Sequence, residues 1–157
     1  MELNKKEVYD QQLNHIPVPN FGGDFKEVDE RFFTAVTEYF ATLNLQNIQL
    51  NKTTVNIGGG FFGSNNVPAI VIYYKDGKLK NLAAFFFTTH TGNVFNYSLY
   101  KQASLGFLDM LTDVTPSEKI ATIHSKLKTI AEVEEFSVFN NIANFMYERA
   151  IKSATIK

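Results

Sequence analysis

The stretch from about residue 50 to residue 100 constrains the fold more than any other part of the chain. Its apolar residues recur every second position in runs at 53–57, 67–75, 79–89 and 93–100 that are rich in Val, Ile, Thr, Phe and Tyr. That period belongs to pleated strands. Asp76-Gly77 falls between two of the runs, and both residues tolerate the positive φ that a type I′ turn demands, so a two-residue hairpin is predicted there. With that loop Lys75 faces Lys78, Tyr74 pairs with Leu79, Ile72 with Asn81, Val71 with Leu82 and Ile70 with Ala83. Thr91-Gly92 marks a second turn. The expectation is a four-stranded antiparallel meander.

This register sorts the side chains onto two faces. One carries Val67, Ala69, Val71, Leu82, Ala84, Phe86, Phe95, Tyr97 and Leu99 and reads as core. The other carries Ile70, Ile72, Tyr74, Ala83, Phe85 and Phe87, together with Asn96, Ser98 and Tyr100 from the last strand. A half-apolar, half-polar sheet face needs a cover, because large aromatic side chains left in water drive association.

Helices flank the strands. Asp24 and Glu27 have capping-box spacing, and Phe25, Val28, Phe32, Val36, Tyr39, Phe40 and Leu43 then follow at steps of three and four, which predicts a helix over 24–43. Thr115-Pro116-Ser117-Glu118 joins a second capping box to proline at the first helical position. The remaining periodicity predicts helices over 102–112, 116–133 and 135–152, with stripes of Ile120, Ile123, Leu127 and Ile130 in the second and Phe139, Ile142, Ala143, Met146 and Ala150 in the third. The fold class is therefore α+β: a four-stranded antiparallel β-meander preceded by one long helix and followed by about three. Residues 1–23, which include Pro17, Pro19, Gly22 and Gly23, are expected to form an irregular N-terminal arm of a single domain spanning 1–157.

Composition narrows the function classes. The 157 residues contain no cysteine, which removes disulfides, thiolate metal sites and thiol nucleophiles. The formal charge of -1, with basic residues scattered, argues against nucleic acid as a partner. No run approaches the roughly 18 apolar residues of a membrane span, and no signal peptide is legible at the N-terminus. A cytoplasmic location is expected.

Candidate chemical motifs are few. Gly58-Gly59-Gly60-Phe61-Phe62-Gly63 matches G-x-G-x-x-G, but the chain leads on into a strand, whereas a dinucleotide fold needs a helix N-terminus there. Within that loop, Phe61 and Phe62 are large apolar side chains between glycines, suited to folding back on the sheet or anchoring a partner. The histidines show no metal-ligand spacing, so neither metal nor cofactor is expected. His90, at a strand turn, is placed where a general base could sit, without a nucleophile or orienting acid beside it. His124 flanks a helix stripe.

Two functional expectations follow. The first is a non-enzymatic protein-interaction domain of adaptor, chaperone, inhibitor or toxin-neutralising type, binding through the mixed sheet face and the Phe61-Phe62 loop. The second is a small-molecule-binding domain or small enzyme, with an apolar pocket walled by Phe85 and Phe87, made polar by Asn96, Ser98 and Tyr100, and with His90 at its rim. Self-association through the same face would make a homodimer.

Overall fold

A computed structural model describes residues 2–17, 25–58, 66–105 and 114–155. A short 3-10 turn at Lys5–Glu7 leads into β1 (Val8–Pro17), followed by α1 (Phe25–Leu43), β2 (Ile48–Asn56), β3 (Asn66–Tyr74), β4 (Leu82–Thr91), β5 (Val94–Ala103), α2 (Pro116–Lys126) and α3 (Ile130–Thr155). The strands form one antiparallel sheet in the order β1-β5-β4-β3-β2. The α+β class matches the reading of the sequence. The sheet has five strands where four were expected.

The added strand is β1, drawn from the segment expected to be irregular. It pairs with β5 from Val8↔Gln102 to Pro17↔Val94, with a register shift between Val8 and Asp10. Its sequence, VYDQQLNHIP, hides the strand because an edge position needs few apolar residues and tolerates proline at its end.

The β3–β4 connection corrects the predicted hairpin. Ile70 pairs with Phe86 and Ile72 with Ala84, so the register slips by three residues (Ala83 to Phe86 opposite Ile70). An odd slip exchanges the faces of β3 relative to β4 and β5. Asp76 and Gly77 lie in a longer turn closed by Lys80 N–H to Gly77 O (3.4 Å) and Leu82 N–H to Leu79 O (2.9 Å). Gly77 keeps the positive φ of 84° that the turn signal required. The longer turn lets Leu79 reach the main core, where it is buried. The next hairpin agrees with expectation: Thr91 pairs with Val94 and Phe86 with Leu99.

One face of the sheet therefore carries Ile70, Ile72, Tyr74, Leu82, Ala84, Phe86, Phe95, Tyr97 and Leu99, and the helices pack on it. Val28, Phe32 and Val36 of α1, Ile123 of α2 and Phe136, Phe139, Ala143, Met146 and Tyr147 of α3 complete this core. The helix after Thr115 begins with the predicted reciprocal cap, Glu118 N–H to Thr115 Oγ1 and Thr115 N–H to Glu118 Oε2, both 3.2 Å. It stops at Lys126, seven residues short of the expected end (133 − 126). Thr129 Oγ1 accepts from Glu132 N–H (3.2 Å) and starts α3 early. The helix expected at 102–112 begins on residues that complete β5; its remainder, 106–112, lies outside the described residues.

Polar groups lock β1 to the rest. Tyr147 of α3 donates to Tyr97 O (2.7 Å), accepts from Asn14 Nδ2 (3.1 Å) and lies 3.3 Å from Gln12 O, joining α3, β5 and β1 through one buried phenol. Burial pushes this hydroxyl up to about 12. Lys101, 2% exposed, donates to Asp10 Oδ2 at 2.7 Å, while the Asp10 side chain is 39% exposed. A buried ammonium is tolerated only while its partner stands beside it. Asp10→Ala is therefore expected to destabilise the domain by about 3 kcal/mol, the low end for a broken pair because Asp10 is partly exposed, whereas Lys101→Met, which removes the buried charge and keeps the packing stem, costs less. Urea unfolding of both variants checks the order.

Candidate functional site

The side chains nominated from sequence are dispersed. Phe61 and Phe62 lie outside the described residues. Phe85 (0% exposed), Phe87 (4%) and Ser98 are buried on the sheet face opposite the helices. Phe87 stacks on Tyr100 with ring centroids 5.4 Å apart. Around them Val55, Ala69, Val71 and Ala83 form a second cluster, with Leu3, Val67, Tyr73 and Tyr100 packed against it. No residue of the three helices belongs to this cluster. The N-terminal segment reaches it instead: Asn4 N–H donates to Gln102 Oε1 and Gln102 Nε2 to Glu2 O, both 3.0 Å, and Leu3 lies between them.

The register fixes what else shares this face. β2 contributes Gln49, Asn51, Thr53 and Val55; β3 contributes Val67, Ala69, Val71 and Tyr73; β1 contributes Gln11, Leu13 and His15. No Asp, Glu, Lys or Arg stands among these positions or among Ala83, Phe85, Phe87, Thr89, Asn96, Ser98, Tyr100 and Gln102. Lys52, Lys101 and Asp10 fall on the helix side. Such depletion accompanies burial, and β3 and β4 read as strands buried on both faces. Amide and hydroxyl groups serve the rim. Asn51 Nδ2 donates to Tyr73 OH (2.6 Å), which donates to Gln49 Oε1 (3.1 Å). Asn96 Nδ2 donates to Thr89 Oγ1 (3.2 Å), and Asn96 Oδ1 bonds His15 Nδ1.

His90 does not stand on the rim of that face. It pairs with Phe95 across the sheet and so points to the helix side, where its ring stacks on Phe25 at 4.7 Å and 10°. An acid that sequence reasoning did not single out, Asp29, is brought to the same end of the sheet by α1. Thr88 Oγ1 donates to Asp29 Oδ1, and Tyr97, the cross-strand neighbour of Thr88, lies beside them. Desolvation raises the Asp29 carboxyl above its ordinary value, opposed by the Thr88 bond and by the His90 charge, with Glu30 adding to the rise. Burial and then Asp29 push the Tyr97 hydroxyl up to about 12, and this hydroxyl has no hydrogen-bond partner among the described residues. No sequence spacing joins residue 29 to residues 88–97; the association exists only in the fold.

Two grooves run along α1. One, of about 430 Å³, is lined by Glu30, Phe33, Thr34, Glu38, Lys52 and Ile70 among others; the other, of about 540 Å³, by Glu27, Arg31, Tyr39, Thr42, Arg149 and Ser153 among others. Neither lining includes Asp29, His90 or Tyr97. No set of three or more His, Asp or Glu side chains is arranged to hold a metal ion among the described residues, and no described helix is long and apolar enough to cross a membrane.

Apolar exposure is concentrated elsewhere. Ile130 (77% exposed), Val133, Val138 (49%) and Phe145 (56%) all belong to α3; Leu13 and Ile57 are the other large hydrophobic residues exposed among the described ones. The inner stripe of α3, with Phe136, Phe139, Ala143, Met146, Tyr147 and Ala150, faces the core. Ile130, Val138 and Phe145 lie on the opposite side of the same helix.

No protein-family model and no curated protein matches this sequence. Among solved structures, the chain is similar to the di-domain ARO/CYC StfQ from the steffimycin biosynthetic pathway, with 11% identity and a TM-score of 0.36 over 97% of this chain and 54% of that one. The chain spans about half the length of that structure, and a likeness of this extent carries no argument about fold or activity.

The Asp29 environment yields a pH prediction. Because its folded value is raised, the native state binds a proton more tightly than the unfolded chain, and the contribution of Asp29 to stability falls as pH rises from the ordinary value of 3.8 through the raised one. Asp29→Asn keeps an acceptor for Thr88 and abolishes that titration. Urea midpoints measured from pH 3.5 to 7.5 are expected to diverge, the variant gaining on the wild type as pH rises across that window.

Proposed function

We propose that this chain is a non-enzymatic protein-interaction domain whose docking surface is the outward side of α3. The observation that carries the reading is the exposure of Ile130, Val138 and Phe145 along one side of a 26-residue helix whose other side is fully engaged in the core. Helix surfaces turned to water ordinarily carry charged and polar residues, and an apolar strip there marks an interaction site.

The packing of the interior supports the same reading. Phe32, Phe86, Phe95, Tyr97 and Phe139 are all fully buried between sheet and helices. On the other face, Phe85 and Phe87 are sealed within the second cluster, so they are poorly suited to wall a ligand pocket. Tyr73 and Tyr100 leave that face an aromatic and amide rim, which can extend a protein interface. The small-molecule alternative draws no comparable support.

Phe145→Glu and Val138→Glu change only outward side chains and are expected to leave the thermal midpoint within about 2 °C, since surface substitutions usually stay within about 0.5 kcal/mol. A photo-crosslinking residue at position 145 is expected to trap a protein adduct in cells, and one at Ser125 on α2 is not. Absence of any adduct at 145, under conditions where a residue at a known interface crosslinks, would contradict the reading.

A further inference from the structure

The two edges of the sheet are not alike. The outer edge of β1 carries a register shift between Val8 and Asp10 and ends on Pro17, and both discourage pairing with another strand. β2 has neither: it pairs with β3 without interruption from Ile48↔Tyr74 to Asn56↔Asn66 and contains no proline. The parity of that ladder is set at its start, where Lys75 N–H donates to Asn47 O (3.0 Å). Pairs that exchange hydrogen bonds alternate with pairs that do not, so Gln49, Asn51, Thr53 and Val55 turn their backbone groups to β3, and Leu50, Lys52 and Thr54 turn theirs outward. Pro68, which has no N–H to give, accordingly stands opposite Thr54. No described strand pairs with the outer edge of β2.

Beside this edge runs the groove between α1 and the sheet. Phe33 and Ile70, the latter the cross-strand partner of Lys52, give it an apolar floor, and Glu30, Glu38 and Lys52 supply its charges. Glu27 is paired with Arg31, whereas Glu30 and Glu38 take part in no ion pair among the described residues. α1 starts at the His90 end of the sheet, where Phe25 stacks, and delivers the chain to β2 at the other end, so Glu30 lies toward Thr54 and Glu38 toward Leu50. About 12 Å of helix axis separates the two carboxylates. Residues four apart on an extended strand span about 13 Å.

We propose that the outer edge of β2 receives an extended segment of a partner protein as a sixth, antiparallel strand, which the groove reads as basic-x-apolar-x-basic. A row of outward N–H and C=O groups is matched by another peptide backbone, and strand addition uses a neighbouring cleft for alternate side chains. Residues opposite Leu50, Lys52 and Thr54 fall on the helix side of the sheet. The central apolar one rests on Phe33 and Ile70, and the flanking basic ones reach Glu38 and Glu30. Lys52 disfavours a cation directly opposite it, so the basic positions stand to either side. This surface is separate from the outward side of α3.

The test is a fluorescence-anisotropy titration of a labelled peptide, Thr-Arg-Thr-Val-Thr-Arg-Thr with both ends blocked, with the full chain. Binding is expected with a dissociation constant on the order of 50 μM, as for a small, transient interface. The arginine and valine residues stand directly opposite the outward groups, so N-methylation of their amides is expected to weaken binding about tenfold or more, whereas N-methylation of the inner threonine amides leaves it unchanged. Thr54→Pro removes one outward N–H where an edge strand tolerates proline. That variant, and the double variant Glu30→Lys with Glu38→Lys, are each expected to lose about tenfold or more in affinity, while Phe145→Glu on α3 binds as the wild type does. No binding up to about 1 mM overturns the proposal, as does binding that ignores both N-methylation and Thr54→Pro, which reports charge attraction alone. A chain that dimerises without peptide and loses the dimer in Thr54→Pro also overturns it, since a second copy then occupies the edge. Crosslinking at position 145 tests the α3 surface by itself and is unaffected by any of these results.

Discussion

Burial of β3 and β4 on both faces is the constraint on which the rest of the structure depends. Their residues Ala69, Ile70, Val71 and Ile72, and Leu82 through Thr88, are buried without alternation. A sheet centre of this kind cannot present one side to water, so every other element is recruited to cover or flank it. Helices take the side lined by Ile70, Ile72, Leu82, Ala84 and Phe86; the uncharged side is closed by a cluster to which Leu3 and two tyrosines contribute. The edges are left to polar strands. β2 and β1 are rich in Asn, Gln and Thr, and β1 carries the bulge and terminal proline that discourage further pairing.

This constraint explains which features were legible in the sequence. The strong signals were local: the period of α1, the Thr115–Glu118 cap with Pro116, and the β4–β5 pairing all depend on residues near one another. What failed depended on competition between local and distant terms. The Asp76-Gly77 turn has the chemistry of a tight hairpin, yet the chain extends the turn so that Leu79 reaches the core, and that moves β3 by an odd number of residues. β1 escaped notice because an edge strand paired on one side needs only alternate apolar residues, and Val8 to Pro17 supplies few. The start of α3 was hidden behind a continuous stripe through Ile130, although Thr129 and Glu132 have cap spacing.

The candidate sites were less legible than the fold. Phe85, Phe87, Asn96, Ser98 and Tyr100 do share a face as expected, because the β4–β5 register was right. Their chemical meaning changed when Ala69 and Val71 took the places expected for Ile70 and Ile72, turning a mixed surface into a second core layer. His90 lies on the helix side with the parity of β4, and Asp29, the carboxyl it influences electrostatically, comes from a helix some sixty residues earlier (90 − 29 = 61). The exposed side of α3 was legible in principle. Ile130, Val138 and Phe145 are the apolar residues left over once the inward stripe of Phe139, Ala143, Met146 and Ala150 is assigned, and a stripe that leaves large apolar residues over is itself a signal.

The proposed function draws on that remainder: a well-filled interior and one helix side on which Ile130, Val138 and Phe145 are exposed. The chain contains no cysteine, so a single introduced thiol reports on one position alone. Phe145→Cys places that thiol on the exposed side of α3, where a thiol-attached photo-crosslinker reaches a protein docked there. In cells, the docking reading predicts a protein adduct from the labelled Phe145→Cys variant and none from Ser125→Cys on α2. Equal adduct formation by the two variants, or none from Phe145→Cys, would contradict it.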